Sequence, residues 1–514
     1  MPILYRSTRG KQNGLRFEEV VLGGLASDKG LFVPEKIPIM TMEEIEKMRG
    51  MTYVELAYTV ISRYVGPEDV PADKLKDIVQ RSFATFRTPE VTPVVKLSDV
   101  WVLELFHGPT FAFKDVALQF LGNLFEHFLT TGAIQDRITI LGATSGDTGS
   151  AAIHGLRGKK NVNCFIMYPK GKVTEVQERQ MTTIPDQNVH CINIDGDFDD
   201  CQAIVKAAFA DAGFRDEVKL GAINSINWAR VLAQITYYFY SWLRVTDANP
   251  GKAHISKLNY AVPTGNFGDI LAGYYAKRMG LPVDRLVVCA NENDVLHRFL
   301  QSGVYRKIPA NLTIAPSMDI SVSSNFERYL YYLAGGSAET LASWMDIFES
   351  TGEVAIPPRL LEIARGELMS YSSTREDIVQ TMRDVFDKEK YLLCPHTATA
   401  MVAVNRLNLR TLRTVILATA HPAKFEEAVA LALIDGRVTP PRPKILNDLF
   451  RMRTRTVHLP NALKDVEAFV RNKLKAGTKS GGSVLNTLAT LTTIAAAGAA
   501  AYFIFLSAAK RANK

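Results

Sequence analysis

The sequence predicts an α/β protein built on parallel sheet, and three observations carry that expectation. From about residue 93 onward, short apolar runs alternate with longer amphipathic stretches, the pattern of strands joined by helical crossovers and covered on both faces. Two glycine-rich turns, Ala-Thr-Ser-Gly-Asp-Thr-Gly at 143–149 and Pro-Thr-Gly-Asn-Phe-Gly-Asp at 263–269, each follow an apolar run and precede a helical pattern. They stand at carboxyl ends of strands, where open α/β sheets bind ligands. The composition, 47% hydrophobic and 22% charged over 514 residues, is that of a globular chain with a large core.

Residues 1–92 read as an N-terminal domain packed on the core. Helical segments are expected over Phe17–Val21 and Met42–Tyr64. Thr41 opens the second, with Glu44 three residues on as a capping box, and the loop 23–30 separates the two. The strand candidates of the catalytic core, 93–440, are Trp101–Phe106, Ile138–Leu141, Asn163–Tyr168, Val189–Ile194, Tyr260–Val262, Leu286–Ala290 and Thr414–Ala418. A C-terminal helical segment is expected over 441–476, then a flexible linker over 477–483.

The chemistry centres on His107–Asp115, His-Gly-Pro-Thr-Phe-Ala-Phe-Lys-Asp. Lys114 follows a turn and two aromatics, Phe111 and Phe113, and stands directly ahead of a helical apolar run. Desolvation between apolar rings disfavours the ammonium, so the amine becomes a better nucleophile, as a Schiff-base lysine requires. In both glycine turns, amides freed at a helix start can bind an anion. The turn at 263–269 lacks the Gly-Lys-Ser/Thr of a P-loop and the Gly-x-Gly-x-x-Gly of a dinucleotide turn, so a single phosphate suits it best. Lysine, anion turn and second anion turn, in that order, are expected of an enzyme that holds pyridoxal phosphate together with an anionic amino acid.

The net charge of +7 is not spread over the chain. Residues from Arg451 onward hold eleven Lys or Arg against Asp465 and Glu467, a net of +9, which leaves −2 for residues 1–450. A near-neutral body argues against a nucleic-acid face. The five cysteines are scattered without metal spacing, which reads as a reducing compartment and no structural metal. The N-terminus lacks the apolar stretch of a secretory signal. Ser480–Ala509 has no charged residue, and Val484–Ala508 supplies the roughly 20 apolar positions that cross a bilayer. Lysines flank it on both sides, so a membrane tail anchor is expected at 484–508, with the catalytic domain cytoplasmic and held to an intracellular membrane. An alanine-rich helix used for oligomerisation and a disordered end are the other readings of this run.

His107–Asp115, Thr144–Ala152, Pro169–Lys172, Gln177–Thr183, Asn224–Arg230, Gly265–Asp269, Pro395–Ala398 and Thr419–Phe425 occur in this order and together resemble the threonine synthase family, in its fungal and proteobacterial branch. The resemblance spans about residues 3–475. It implies a fold type II, tryptophan-synthase-β-like pyridoxal-phosphate enzyme with two open α/β lobes beside the N-terminal one. The implied reaction converts O-phospho-L-homoserine and water to L-threonine and phosphate. Lys114 matches the lysine that carries the cofactor. Gly265, Asn266, Phe267, Gly268 and Asp269 match the cup for the cofactor phosphate, Thr419 the hydroxyl facing the pyridine nitrogen, and Asp147 the group near the cofactor 3′-oxygen. Thr144, Ser145 and Thr148 match the loop that receives the substrate carboxylate, and Asn224, Ser225, Arg230 and Lys170 match groups facing the substrate phosphate.

Several residues have plainer readings. His396 and His421 are read as structural, Tyr237–Tyr240 as core, and the acidic stretch Asp195–Asp200 as a solvated turn. Lys172, Thr174 and Ala400 depart from the family pattern. They leave open a threonine-synthase-like phospho-lyase that releases 2-oxobutyrate, and a non-catalytic membrane-held protein that binds the cofactor. The oligomeric state, monomer or dimer, is not fixed by the sequence.

Overall fold

The computed structural model describes residues 3–131, 136–221, 223–248, 257–433 and 442–476. Two parallel sheets carry the molecule. The six-stranded sheet runs Leu368–Ser372, Val283–Ala290, Leu258–Pro263, Thr414–Ala418, Val100–Glu104 and Val94–Leu97, and is parallel except for the antiparallel pairing of the last two. The five-stranded sheet is wholly parallel, in the order Val457–Leu459, Val189–Ile194, Val162–Pro169, Ile138–Ala143 and Leu220–Gly221. All seven expected strands are present, with ends shifted by a few residues at most.

Side-chain alternation explains why both sheets are covered twice. In the larger sheet Tyr260, Val262, Leu286 and Val288 face the main core, which includes the helices Trp228–Asp247 and Gly268–Arg278. Ala261, Val287, Cys289 and Ile416 face a second core formed with Met382, Met401 and Val404, from the helices Arg375–Glu389 and Pro395–Arg406. In the smaller sheet Ile140, Cys164 and Ile166 point into the main core. Leu141, Phe165, Met167 and Ile192 point outward, under the helix Phe198–Ala210 and under Val466, Val470 and Leu474.

The N-terminal segment packs on this body through aromatic residues. Trp228, fully buried, meets Tyr5, Tyr64 and Tyr275 with ring centroids 5.9, 5.6 and 5.0 Å away, and the Tyr5 hydroxyl donates to the Tyr64 carbonyl at 2.8 Å.

Three expectations change. The single helix expected over Met42–Tyr64 is two, Met42–Glu46 and Tyr53–Ile61. Gly50 takes φ +77° in the turn that follows the first helix, and Thr52 with Glu55 forms a second capping box beyond it. The segment expected to be helical over 441–476 also contributes the strand Val457–Leu459, three residues too short to show a period. Its helix over 463–476 then covers the smaller sheet with side chains spaced four apart. The acidic stretch is a helix start, where Asp197 caps Phe198–Ala210 and accepts from the Asp200 amide at 3.0 Å. The linker and the apolar run 484–508 lie outside the described residues. Among the described residues no helix is long and apolar enough to cross a membrane.

Trp228→Ala should lower stability by roughly 3–5 kcal/mol, the range for emptying a large aromatic site in a packed interior. Chemical denaturation followed by near-ultraviolet circular dichroism checks this, and an unchanged midpoint refutes the inter-domain role of the cluster.

Candidate active site

The lysine turn is placed by a short antiparallel contact with the strand at the centre of the larger sheet. The Phe113 amide donates to the Thr419 carbonyl at 2.8 Å and the His421 amide to the Phe111 carbonyl at 3.0 Å, around an isolated bridge between Ala112 and Ala420. Phe111 takes φ +61°, a strained geometry for a bulky residue. Its ring is clamped by the Arg87 guanidinium 3.5 Å from the centroid and by the edge of His421. Arg87 donates to the Phe106 carbonyl at 2.6 Å and also to that of Gly108. Phe111 therefore braces the turn, and only Phe113 flanks the lysine, 5.1 Å from Nζ to ring centroid.

Lys114 begins the helix Lys114–Thr131. Burial pulls its pKa down to about 8, against the pull of the Asp147 carboxylate, while Lys424 and Arg230 add repulsion. Its side chain opens on a cavity whose wall also includes Thr148, Ser225, Arg230, the turn Pro263–Asp269 and Thr419.

The turn Thr264–Asp269 connects the strand Leu258–Pro263 to the helix Gly268–Arg278. Phe267 takes φ +60° as the residue before the helix, whose first-turn amides have no intrahelical acceptor, and the whole turn lines the cavity. A Cβ on Gly265 would sit 3.2 Å from the Met318 Cα, so this glycine admits a close backbone approach. The Asp269 carboxyl is turned away from solvent and pushed up to about 7 by burial, in spite of the bonds it accepts from Tyr237 at 2.5 Å and Tyr238 at 2.9 Å.

Arg230 is a buried cation with two guanidinium nitrogens, Nε and Nη1, that have no protein partner, and burial lowers its pKa to about 10. An uncompensated buried guanidinium on a cavity wall requires an anion. The orphaned Arg230 nitrogens and the amide-lined glycine turn fit two phosphate groups.

The other turn, 143–149, behaves differently from the expectation. The Thr144 hydroxyl accepts from the amides of Gly146 at 3.0 Å and Gly149 at 2.8 Å and so closes the turn on itself. Ser145 is exposed, and of the three residues assigned to the substrate carboxylate only Thr148 reaches the cavity wall. Gly146, at φ +140° and pressed against Gln177, allows the sharp entry into the helix Asp147–Leu156. Asp147 is buried and paired with the Lys424 ammonium at 2.6 Å. Burial alone would raise its pKa, but Lys424 and Lys114 hold it well below the usual carboxylate range.

Lys170 is exposed just after the strand Val162–Pro169 and takes no part in the cavity wall. Asn224 stands behind the wall with a buried, unpartnered Oδ1, while Ser225 is on it and shares a 2.8 Å bond with Ser324. His396 lines the cavity. Burial lowers its pKa to about 3, and its neutral Nε2 accepts from the Ser317 amide at 3.0 Å. His421 accepts from the Ala423 amide at 3.1 Å.

Sequence reasoning missed Lys424, Gln177 and Ser317, all bonded to Asp147, and the tie from Tyr237 and Tyr238 to the phosphate turn. Lys424 had a signal, since it is the one charge at the end of the uncharged run Thr414–Ala423. The tyrosines had none, being some 30 positions from Asp269.

Comparison with known proteins decides the family. The description "Threonine synthase N terminus" matches residues 4–83, "Pyridoxal-phosphate dependent enzyme" 86–358 and "Threonine synthase, C-terminal" 397–470. The chain belongs to the threonine synthase family. It is 49% identical to threonine synthase of Schizosaccharomyces pombe over 84% of this chain and 89% of that one. It is 47% identical to threonine synthase of Pseudomonas aeruginosa over 91% and 97%. The structure of pyridoxal-phosphate-bound threonine synthase from Brucella melitensis superposes with TM-score 0.86 at 43% identity, covering 92% of this chain and 99% of that one. The enzyme is therefore a fold type II α/β lyase with pyridoxal phosphate as its cofactor.

In protein freed of cofactor, modification of Lys114 by an amine-directed reagent should rise through a midpoint near pH 8 instead of the ordinary 10.5, because only the unprotonated amine reacts. Peptide mapping across pH reads this directly, and a midpoint at the ordinary value removes the case for an activated amine.

Proposed function

We propose that this enzyme converts O-phospho-L-homoserine and water to L-threonine and phosphate, with Lys114 as the cofactor-bearing residue. The observation that carries the reading is the pairing, on one cavity wall, of an amine with a depressed pKa and a buried guanidinium lacking a counter-ion. The threonine synthases that resemble the chain over most of its length support it.

When bound, pyridoxal phosphate supplies an aldehyde for the amines of the site and a sink for the electron pair left at the substrate carbons. The amides of Gly265, Asn266, Phe267, Gly268 and Asp269 would hold its phosphate. Asp269 offers its amide, since its carboxyl is engaged by the tyrosines. Thr419, on the cavity wall, would offer its hydroxyl to the ring nitrogen, and Asp147 would serve as the group toward the 3′-oxygen. Thr148 receives the substrate carboxylate from the cavity wall, and the turn of Thr144 and Ser145 behind it holds Thr148 in place.

Arg230, with Ser225 and Asn224 beside it, grips the substrate phosphate by a fork that matches its geometry and stabilises it as it leaves. Lys114 Nζ takes the α-proton and then a β-proton. Phosphate departs from the γ-carbon, which regains a proton, and water adds at the β-carbon. Substrate plus water thus balances threonine plus phosphate. A base with a pKa near 8 is matched to both halves of this shuttle at neutral pH.

Purified enzyme should release threonine and phosphate in equal amounts from O-phospho-L-homoserine. Lys114→Ala should abolish the visible absorbance of the holoenzyme and lower turnover by at least about 1,000-fold. Arg230→Met should cost about 100-fold in kcat/KM, from both substrate binding and leaving-group stabilisation. Accumulation of 2-oxobutyrate in place of threonine refutes the synthase reading, and borohydride labelling at a residue other than Lys114 refutes the site.

We also propose that 484–508 anchors a cytoplasmic catalytic body, arranged as the N-terminal domain 1–92, core 93–440 and C-terminal segment 441–476, to an intracellular membrane. The uncharged run of sufficient length between basic flanks supports this. Full-length protein should pellet with membranes and resist carbonate extraction, whereas protein ending at Ala476 should remain in the supernatant. Identical behaviour of the two refutes the anchor.

A further inference from the structure

Lys424 is almost wholly buried at the end of the short helix Pro422–Lys424, yet it has two polar partners from separate parts of the chain. Its Nζ is 2.6 Å from Asp147 Oδ1 and donates to the Thr110 carbonyl at 2.8 Å. Thr110 is in the turn that delivers Lys114, and Asp147 starts the helix that delivers Thr148 to the cavity. Further bonds make both partners rigid. Asp147 accepts from Gln177 at 2.9 Å and from the Ser317 hydroxyl at 3.1 Å. The Thr110 carbonyl also accepts from Gln180 at 3.0 Å, and the Thr110 amide and hydroxyl both donate to Asp115 at 2.7 Å.

We propose that Lys424 is a positioning residue of the cofactor site: its ammonium locks the lysine turn to the Asp147 helix and cancels the Asp147 charge that faces Lys114. The proposal rests on the reading of Lys114 as the cofactor-bearing lysine.

The charge argument follows from the groups around Lys114. Asp147 and Asp115 favour a proton on its nitrogen, Lys424 and Arg230 oppose one, and the neutral His396 contributes no charge. Arg87 also interacts with Asp115 and offsets its charge. The Asp147–Lys424 pair is neutral as a unit and is held dry, so loss of either member leaves a full charge acting through a medium of low dielectric. Loss of Lys424 leaves an anion, which stabilises the protonated nitrogen and moves its titration upward. Loss of the Asp147 charge leaves a cation, which moves it downward. Loss of both restores neutrality.

The test is the pH titration of the visible absorbance band of the holoenzyme, with cofactor affinity measured alongside. Lys424→Met should move the midpoint up by about one pH unit or more, a tenfold change in the proton equilibrium. Asp147→Asn should move it down, and the double variant Asp147→Asn with Lys424→Met should return it toward wild type. Lys424→Arg, which keeps the charge, should stay near the wild-type midpoint while raising KM more than it lowers kcat, because the longer fork shifts Thr148.

A wild-type midpoint in cofactor-loaded Lys424→Met overturns the proposal. If that variant does not load, equal midpoints in wild type and Asp147→Asn overturn it instead. These failures differ from failure of the underlying reading, in which the wild-type band is absent or survives in Lys114→Ala.

Discussion

Two backbone hydrogen bonds, Phe113 to Thr419 and His421 to Phe111, fix the geometry of the site. They stitch a turn that begins a helix to the loop leaving the strand Thr414–Ala418, and so bring Lys114 and Thr419, about 300 positions apart in the chain, to opposite sides of one bridge. A parallel sheet offers no hairpin that could do this. Its strands end at the same edge, and the loops there must be tied to one another by non-local bonds. The strained Phe111 is part of that tie, held by Arg87 on one side and His421 on the other.

The electrostatics of the cavity follow from the same arrangement. Two cations, Lys114 and Arg230, face it, and Asp147, the carboxylate that acts most strongly on Lys114, is already balanced by Lys424. The Asp269 carboxyl is pushed up to about 7 in its apolar niche. The site therefore has spare positive charge and few anions, a balance suited to a cofactor phosphate and a phosphorylated substrate bound together. Burial lowers the cost of keeping Lys114 neutral, so the excess of positive charge serves anion binding without blocking the amine.

Much of this was legible in the sequence, and the boundary is physical. The seven strands, both glycine turns and Lys114 were visible because each is a local pattern: a short apolar run, a helix start, a lysine after an aromatic turn. The break at Gly50 was hidden, since a glycine inside an apolar period is tolerated in many helices and only the second capping box, Thr52 with Glu55, marks the restart. The bonds that the Thr144 hydroxyl accepts from the Gly146 and Gly149 amides were hidden as well, since they depend on turn geometry alone. Lys424 and the tyrosines Tyr237 and Tyr238 act across the fold, where spacing in the chain has no bearing on distance in space.

The N-terminal segment is part of the same machinery. Arg328, fully buried and without an ion-paired carboxylate among the described residues, donates to the Phe32 carbonyl at 2.9 Å, the Ile226 carbonyl at 2.6 Å and Asn325 Oδ1 at 2.6 Å. Asn325 in turn donates to the Ser225 carbonyl at 3.2 Å and the Asn266 carbonyl at 3.0 Å. One buried guanidinium thus connects the N-terminal segment at Phe32, the loop that carries Ser225 toward Arg230, and the phosphate turn at Asn266. A buried charge satisfied only by carbonyls and an amide gains less than an ion pair would, and an apolar side chain of similar volume would fill the space without desolvation. What the arginine supplies is direction: three segments from distant parts of the chain are set at fixed angles about one planar fork, which packing alone does not impose.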